Sequence, residues 1–241
     1  MNVYSKTDIG KRRTINQDAF YVCEFDNGAV VAVVCDGMGG AKGGNIASEK
    51  AVTLISEYIV RSYSPKMSSA AIENLLRAAV DSANAEIYEL SHTDENYAGM
   101  GTTAVVALVV DNLAHIVHVG DSRAYIITAG EIEQITNDHS VVQAMVNNGE
   151  ISQEEARNHP RKNIITRAVG AEKSVMSDYS IVLKPENVKI LICTDGLTNH
   201  LNEDDIFETV RTTPEQDCVE TLINQANDLG GSDNITAVLV C

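Results

Sequence analysis

The chain has 241 residues, 44% hydrophobic and 22% charged, a balance that excludes a disordered polymer and leaves enough apolar material for a sizeable core. Its 34 acidic and 18 basic side chains give a formal net charge of -16, and no run of lysine and arginine offers the footprint that nucleic acid requires. Five cysteines without a CxxC pair suit a reducing, cytoplasmic setting, and there is neither a signal-peptide core nor an apolar run near the ~20 residues of a membrane span.

Residues 1–13 are polar and alternating, and Asn16-Gln17-Asp18 opens a short apolar stretch, AFYV. Residues 28–35 (GAVVAVVC) form the first β-branched run and predict a buried strand. Helical period follows at residues 46–60 and again at 69–90, where Ile72, Leu75, Leu76, Ala79, Ala83, Ile87 and Leu90 share one stripe. Pro65 and its neighbouring serines supply the break, with Ser68 or Ser69 as the cap of the second helix. Residues 102–110, 113–119 and 124–128 predict three further strands. Asp26-Asn27-Gly28, Asp111-Asn112 and Ala129-Gly130 stand at hairpin-like spacing, which favours antiparallel pairing.

Residues 138–170 are polar, weakly patterned and broken at Asn147-Asn148-Gly149 and His159-Pro160, which predicts a mobile, partly helical flap that shapes substrate choice. Beyond it come a strand at 188–193, a helix at 214–228 ended by Gly230-Gly231, and a last strand at 234–240. No Pro-rich or Ser/Gly-rich linker divides the chain, so one domain over residues 1–241 is expected. The element order implies an α+β fold in which sheet packs on sheet with helices outside.

The informative pattern is positional. Apolar runs end in Asp36-Gly37 and in Thr194-Asp195-Gly196, a third run leads to Gly120-Asp121, and Ser232-Asp233-Asn234 opens the last one. Asp-Gly after a strand is by itself a turn signal. Four or five carboxylates converging at one rim would instead repel unless cations neutralised them, and oxygen-only ligands select Mg²⁺ or Mn²⁺ over Zn²⁺. Two such ions can activate a shared water against phosphorus. The glycine-rich segment from Asp36 to Gly44 matches neither a Walker loop nor an EF-hand. His115 and His118 have odd spacing within a strand and so do not form a chelating pair, while His139 and His159 are expected at the surface.

The ordered series Asn16-Gln17-Asp18, Asp36-Gly37-Met38-Gly39-Gly40, Gly101-Thr102-Thr103, Val119-Gly120-Asp121-Ser122-Arg123, Cys193-Thr194-Asp195-Gly196-Leu197 and Ser232-Asp233-Asn234-Ile235-Thr236 resembles the motifs of bacterial PPM/PP2C-type protein serine/threonine phosphatases over essentially the whole chain. The resemblance implies an αββα sandwich of two antiparallel sheets. It implies that Asp36 bridges two Mn²⁺ or Mg²⁺ ions, that the Gly37 carbonyl completes the first site, and that Asp195 and Asp233 hold the second. Asp121 with Asp195 matches a third, weaker metal position. Asp18 matches a residue that orients metal-bound waters, and Asn234 either orients Asp233 or merely begins the strand. Arg13 matches the guanidinium that grips the substrate phosphate, with Arg12 as its rival. A bridging hydroxide would then attack phosphoserine or phosphothreonine directly.

Where some relatives have histidine in the first loop, Met38 and Ala41 stand here, which leaves the general acid unassigned. The implied partners are phosphorylated substrates of a serine/threonine kinase, acted on by a monomer without nucleic acid or membrane. Two other readings fit the same motifs: a catalytically silent phosphoprotein-binding module, and a phosphatase of small metabolites.

Overall fold

A computed structural model describes residues 1–39 and 43–241 in full and residues 40–42 by backbone alone, so the Ala41 side chain lies outside the described residues. In chain order the strands are β1 (Val3–Asp8), β2 (Asp18–Glu24), β3 (Val30–Met38), β4 (Gly101–Thr102), β5 (Ala104–Val110), β6 (Leu113–Val119), β7 (Arg123–Ile127), β8 (Ile132–Gln134), β9 (Asp178–Leu183), β10 (Lys189–Cys193) and β11 (Ile235–Val240). The helices are α1 (Gly40–Ser62), α2 (Ser69–Thr93), α3 (Val141–Asn147), α4 (Gln153–Arg157), α5 (Asp195–Thr198), α6 (Glu203–Thr212) and α7 (Glu215–Asp228).

One sheet has the order β1-β11-β10-β7-β8 and the other β2-β3-β5-β6-β9, with β4 paired to β3; all pairings are antiparallel. The alternation of β3 explains the layering. Val31, Val33 and Cys35 face α1 and α2, while Val30, Ala32 and Val34 face the other sheet and meet Ile190, Ile192, Val238 and Val240. Residues buried on both faces are why these runs are β-branched without polar interruption. On the far side, α6 and α7 cover Leu191, Ala237 and Leu239. The result is the αββα sandwich read from the sequence.

Hairpins fix the registers. Asp111 and Asn112 both take positive φ, 49° and 63°, between the paired residues Val110 and Leu113, as a two-residue turn between right-twisted strands requires. Ser68 is the cap of α2, its hydroxyl accepting from the Ala71 N–H, and Ser69 is the first helical residue.

Three strands, β1, β8 and β9, fall outside the apolar runs, and β2 carries only the short stretch AFYV. β1 and β8 border one sheet, β2 and β9 border the other, and all four are half-exposed. The segment at residues 138–170 holds α3 and α4, capped by Ser140 and Ser152.

Candidate active site

The two sheets bring their acidic ends to one rim. Asp18 lies opposite Asp36 in the β2–β3 register, while Asp195 follows β10 and Asp233 precedes β11 in the other sheet. Threonine hydroxyls tie the sheets together there. Thr194 and Thr236 both donate to Asp18 Oδ2, at 2.8 and 2.7 Å. The Asp36 backbone is equally constrained: its N–H donates to Thr103 Oγ1 at 2.9 Å, and its carbonyl accepts from the Thr102 hydroxyl and the Thr103 N–H. Thr103 Oγ1 and Ser122 Oγ, beside Asp121, lie 2.7 Å apart.

Asp36, Asp121, Asp195 and Asp233 line a cleft of ≈ 510 Å³ together with Arg13, Gly37, Met38 and Asn163. Burial first, and the neighbouring carboxylates second, hold Asp36 and Asp121 well above the ordinary carboxylate range. Asp195 is raised for the same reasons, and burial pushes Asp18 up to about 7. Such an array is unfavourable by itself. Asp18 Oδ1 and Asp195 Oδ1 are buried and have no hydrogen-bond partner. Orphaned anionic oxygens in an all-oxygen donor set are what a hard divalent cation satisfies, so the residues fit the metals that the sequence implied.

Gly37 sits where a Cβ would collide with the Gly44 carbonyl, which brings the backbone of the loop close to the floor of the cleft. Asn234 does more than begin a strand. Its side chain accepts from the Gln17 N–H and donates to the carbonyls of Ile9 and Ile15, and its own N–H donates to Asp233 Oδ1 at 2.9 Å. Asn234 thereby links Asp233 to the chain segment carrying Arg13. Arg13 Nη2 donates to Asp233 Oδ2 at 2.6 Å, an ion pair that raises the guanidinium pKa, and its side chain stays 48% exposed toward the cleft. Arg12 is exposed and does not line the cleft, which separates the two arginines.

Other contacts were outside the reach of sequence reasoning. Lys162 Nζ donates to Asn199 Oδ1 at 3.0 Å, and Asn199 Nδ2 donates to Asp195 Oδ2 at 2.9 Å, so the flap adds a positive charge beside Asp195. Arg123 pairs with Asp138 through Nε and Nη2 rather than with Asp121.

His139 is not at the surface: it is only 5% exposed, because the chain turns inward at the entrance to the flap. Gly120 N–H donates to its Nδ1, so Nε2 carries the hydrogen and donates to Asp178 Oδ2 at 3.1 Å. Burial lowers the imidazole pKa. Its backbone N–H donates to the Gly120 carbonyl and its carbonyl accepts from Thr166, which closes both ends of the flap onto the Asp121 turn. His118, His139 and Asp178 bring their ligand atoms within 4.8 Å of one another. The positive charge there is that of Arg167, whose Nη1 lies 3.0 Å from His139 Nε2 and donates to Asp178 Oδ1 at 2.9 Å. Replacing His139 with Ala leaves the buried Gly120 N–H unpaired and is expected to cost about 1–3 kcal/mol. Urea unfolding measures this, and an unchanged midpoint would show that the clasp contributes no stability.

With this geometry in place, likeness to known proteins decides the family. The sequence profile described as Protein phosphatase 2C matches residues 10–229. The chain belongs to the protein phosphatase 2C family. The serine/threonine phosphatase stp of Listeria monocytogenes is 38% identical over 243 aligned residues, covering 100% of this chain and 95% of that protein. Protein phosphatase PhpP of Streptococcus pneumoniae is also 38% identical, with 97% of its length covered. Among solved structures, serine/threonine phosphatase Stp1 from Staphylococcus aureus superposes with a TM-score of 0.93 at 35% identity, over 98% of this chain and 93% of that one. The S. agalactiae serine/threonine phosphatase gives 0.91 at 37% identity, over 99% and 98%. The protein phosphatase 2C fold thus spans this chain, and the family is metal-dependent.

Proposed function

We propose that this chain hydrolyses phosphoserine and phosphothreonine in proteins, with Asp36, the Gly37 carbonyl, Asp195 and Asp233 holding two Mn²⁺ or Mg²⁺ ions and Asp121 with Asp195 supporting a third, weaker one. The observation that carries this reading is the rim of raised carboxylates with buried, partnerless oxygens on Asp18 and Asp195. When bound, the cations neutralise these acids and activate water for attack on phosphorus.

The chain's own groups do the rest. Arg13 donates its remaining guanidinium N–H groups to phosphate oxygens and holds the ester in line with the attacking water. Asp18, fixed by two threonine hydroxyls opposite Asp36, keeps its other oxygen buried and without a partner behind the cleft acids. Water oxygen bonds to phosphorus, the bond from phosphorus to the serine or threonine oxygen breaks, and that oxygen takes up a proton. No side chain becomes phosphorylated. Among the described residues no histidine lines this cleft, which supports water as the source of that proton.

The fuller reading is a cytoplasmic monomer, one domain with a flap at residues 138–170, acting against a serine/threonine kinase. No described helix is long and apolar enough to cross a membrane.

Purified protein is expected to release phosphate from p-nitrophenyl phosphate and from a phosphothreonine peptide with Mn²⁺, and to stop when the metal is chelated; no release under either condition would overturn the enzymatic reading. Arg13→Ala is expected to lower kcat/KM roughly 10- to 100-fold, mostly through KM, the worth of a charge-assisted bond pair. Arg13→Lys should recover only part of this, since an ammonium lacks the planar fork. Full activity in Arg13→Ala would remove its role.

A further inference from the structure

Beside the catalytic cleft lies a second cavity of ≈ 560 Å³ whose character is different. Met38, Ile165, Ala168, Ala171, Val175 and Met176 make the apolar part of its lining, Thr166, Arg167, Glu172 and Ser174 the polar part, and it carries none of the cleft's carboxylates. Two residues are common to both. Met38 and Ile165 form the divide, one from the metal-site loop and one from the end of the flap. The Met38 Cε lies against Gly101, beside which Ala168 also packs, so its side chain borders the second cavity as well as the cleft.

The lining segment is held in place by hydrogen bonds to the elements around it. Thr102 and Val169 exchange backbone hydrogen bonds at 3.0 and 2.8 Å. Asn84 of α2 accepts from the Gly170 N–H at 2.7 Å and donates to the carbonyls of Glu172 and Lys173. Arg167 is committed to Asp178, and Thr166 to the His139 carbonyl. The wall from Ala168 to Lys173 is therefore fixed before any ligand arrives, while Met176, 71% exposed at the mouth, is free to adapt. A preformed cavity with one apolar side, adjoining a phosphate-hydrolysing cleft across Met38 and Ile165, fits one occupant best, namely the polypeptide that carries the phosphate.

We infer that this cavity is a specificity subsite that takes a large apolar side chain of the substrate, flanking the phosphoserine or phosphothreonine. The inference rests on the phosphatase reading and deepens it. Glu172 stands exposed on the rim and Arg167 is neutralised by Asp178, so the entrance disfavours an acidic side chain at the same position. A leucine, methionine or aromatic residue fills the site; aspartate does not.

The test is a set of phosphothreonine peptides in which a single leucine is moved through each flanking position, assayed with Mn²⁺ against all-alanine and single-aspartate counterparts. At one position leucine is expected to raise kcat/KM about tenfold over alanine, the worth of an apolar side chain leaving water. Ala171→Phe fills the cavity from its exposed rim and should bring the leucine peptide down to the alanine level, with p-nitrophenyl phosphate turnover unchanged. Met176→Asp, at a still more exposed position, should do the same by placing a charge at the mouth. Equal rates for leucine and alanine at every position in the wild type would overturn the subsite, as would a leucine preference that survives both variants. Loss of p-nitrophenyl phosphate turnover in the wild type would instead overturn the phosphatase reading, so the two failures are distinct.

Discussion

Asp36→Asn is expected to lower kcat by on the order of 10³-fold while raising the thermal stability of the metal-free protein, two effects of opposite sign from one atom change. The substitution is nearly isosteric. The backbone bonds to Thr103 and Thr102 and the register opposite Asp18 involve no side-chain atom of Asp36, so the local frame is retained. What disappears is one negative charge from a group whose anionic form is opposed by burial and then by Asp18, Asp195, Asp121 and Asp233. Without metal that relief stabilises the fold. With metal the same charge is missing from the ligand set, so Mn²⁺ should bind more weakly and add less to the melting temperature, because stabilisation by a ligand follows the ratio of its concentration to its Kd. Calorimetry with and without Mn²⁺, paired with p-nitrophenyl phosphate kinetics, reads both. Undiminished turnover would remove Asp36 from the mechanism, and an unchanged Mn²⁺-induced shift would remove it from the metal site.

Much of this site was legible because strand burial and strand ends leave different marks in a sequence. Runs such as residues 28–35 and 234–240 are apolar on both faces since they lie between helices and the opposite sheet, and a carboxylate at the limit of such a run must sit at the rim. The bordering strands β1, β8 and β9 have one partner each and half-exposed faces, so no continuous apolar signal marks them. α6 is short, and Ile206, Thr209 and Val210 are its only buried residues among three leading acids.

The same logic explains what was missed around the carboxylates. Thr194, Thr236 and Thr103 read as ordinary β-formers, and nothing local reveals that their hydroxyls serve Asp18 and Asp36 across strands and sheets. Lys162 reaches Asn199, and His139 reaches Gly120 and Asp178, over long sequence separations. Spacing carries no trace of such contacts. Asp121 carried a turn signal and a motif, whereas the pairing of Arg123 with Asp138 needed the flap to be placed first.

Metal removal should also invert the usual dependence of stability on pH. A carboxyl group whose pKa is raised on folding binds a proton more tightly in the folded state than in the unfolded chain. Between the two pKa values the folded protein therefore holds more protons, and stability falls as pH rises. Asp18 alone spans the window from its ordinary 3.8 to about 7, which corresponds to about 4 kcal/mol present at the acid end and lost by neutrality. Asp36, Asp121 and Asp195 shift in the same direction and deepen the loss. Most proteins lose stability on acidification because their paired carboxylates are protonated; here the partner is absent once the cation is withdrawn. Urea midpoints of chelator-treated protein are expected to fall from about pH 5 to about pH 8. Saturating Mn²⁺ competes with protons for the same oxygens, and binds best where they are ionised, so it should flatten the slope or reverse it. A midpoint that rises with pH in the metal-free protein would show that these acids are relieved within the chain itself, and that the cations are not what their convergence requires.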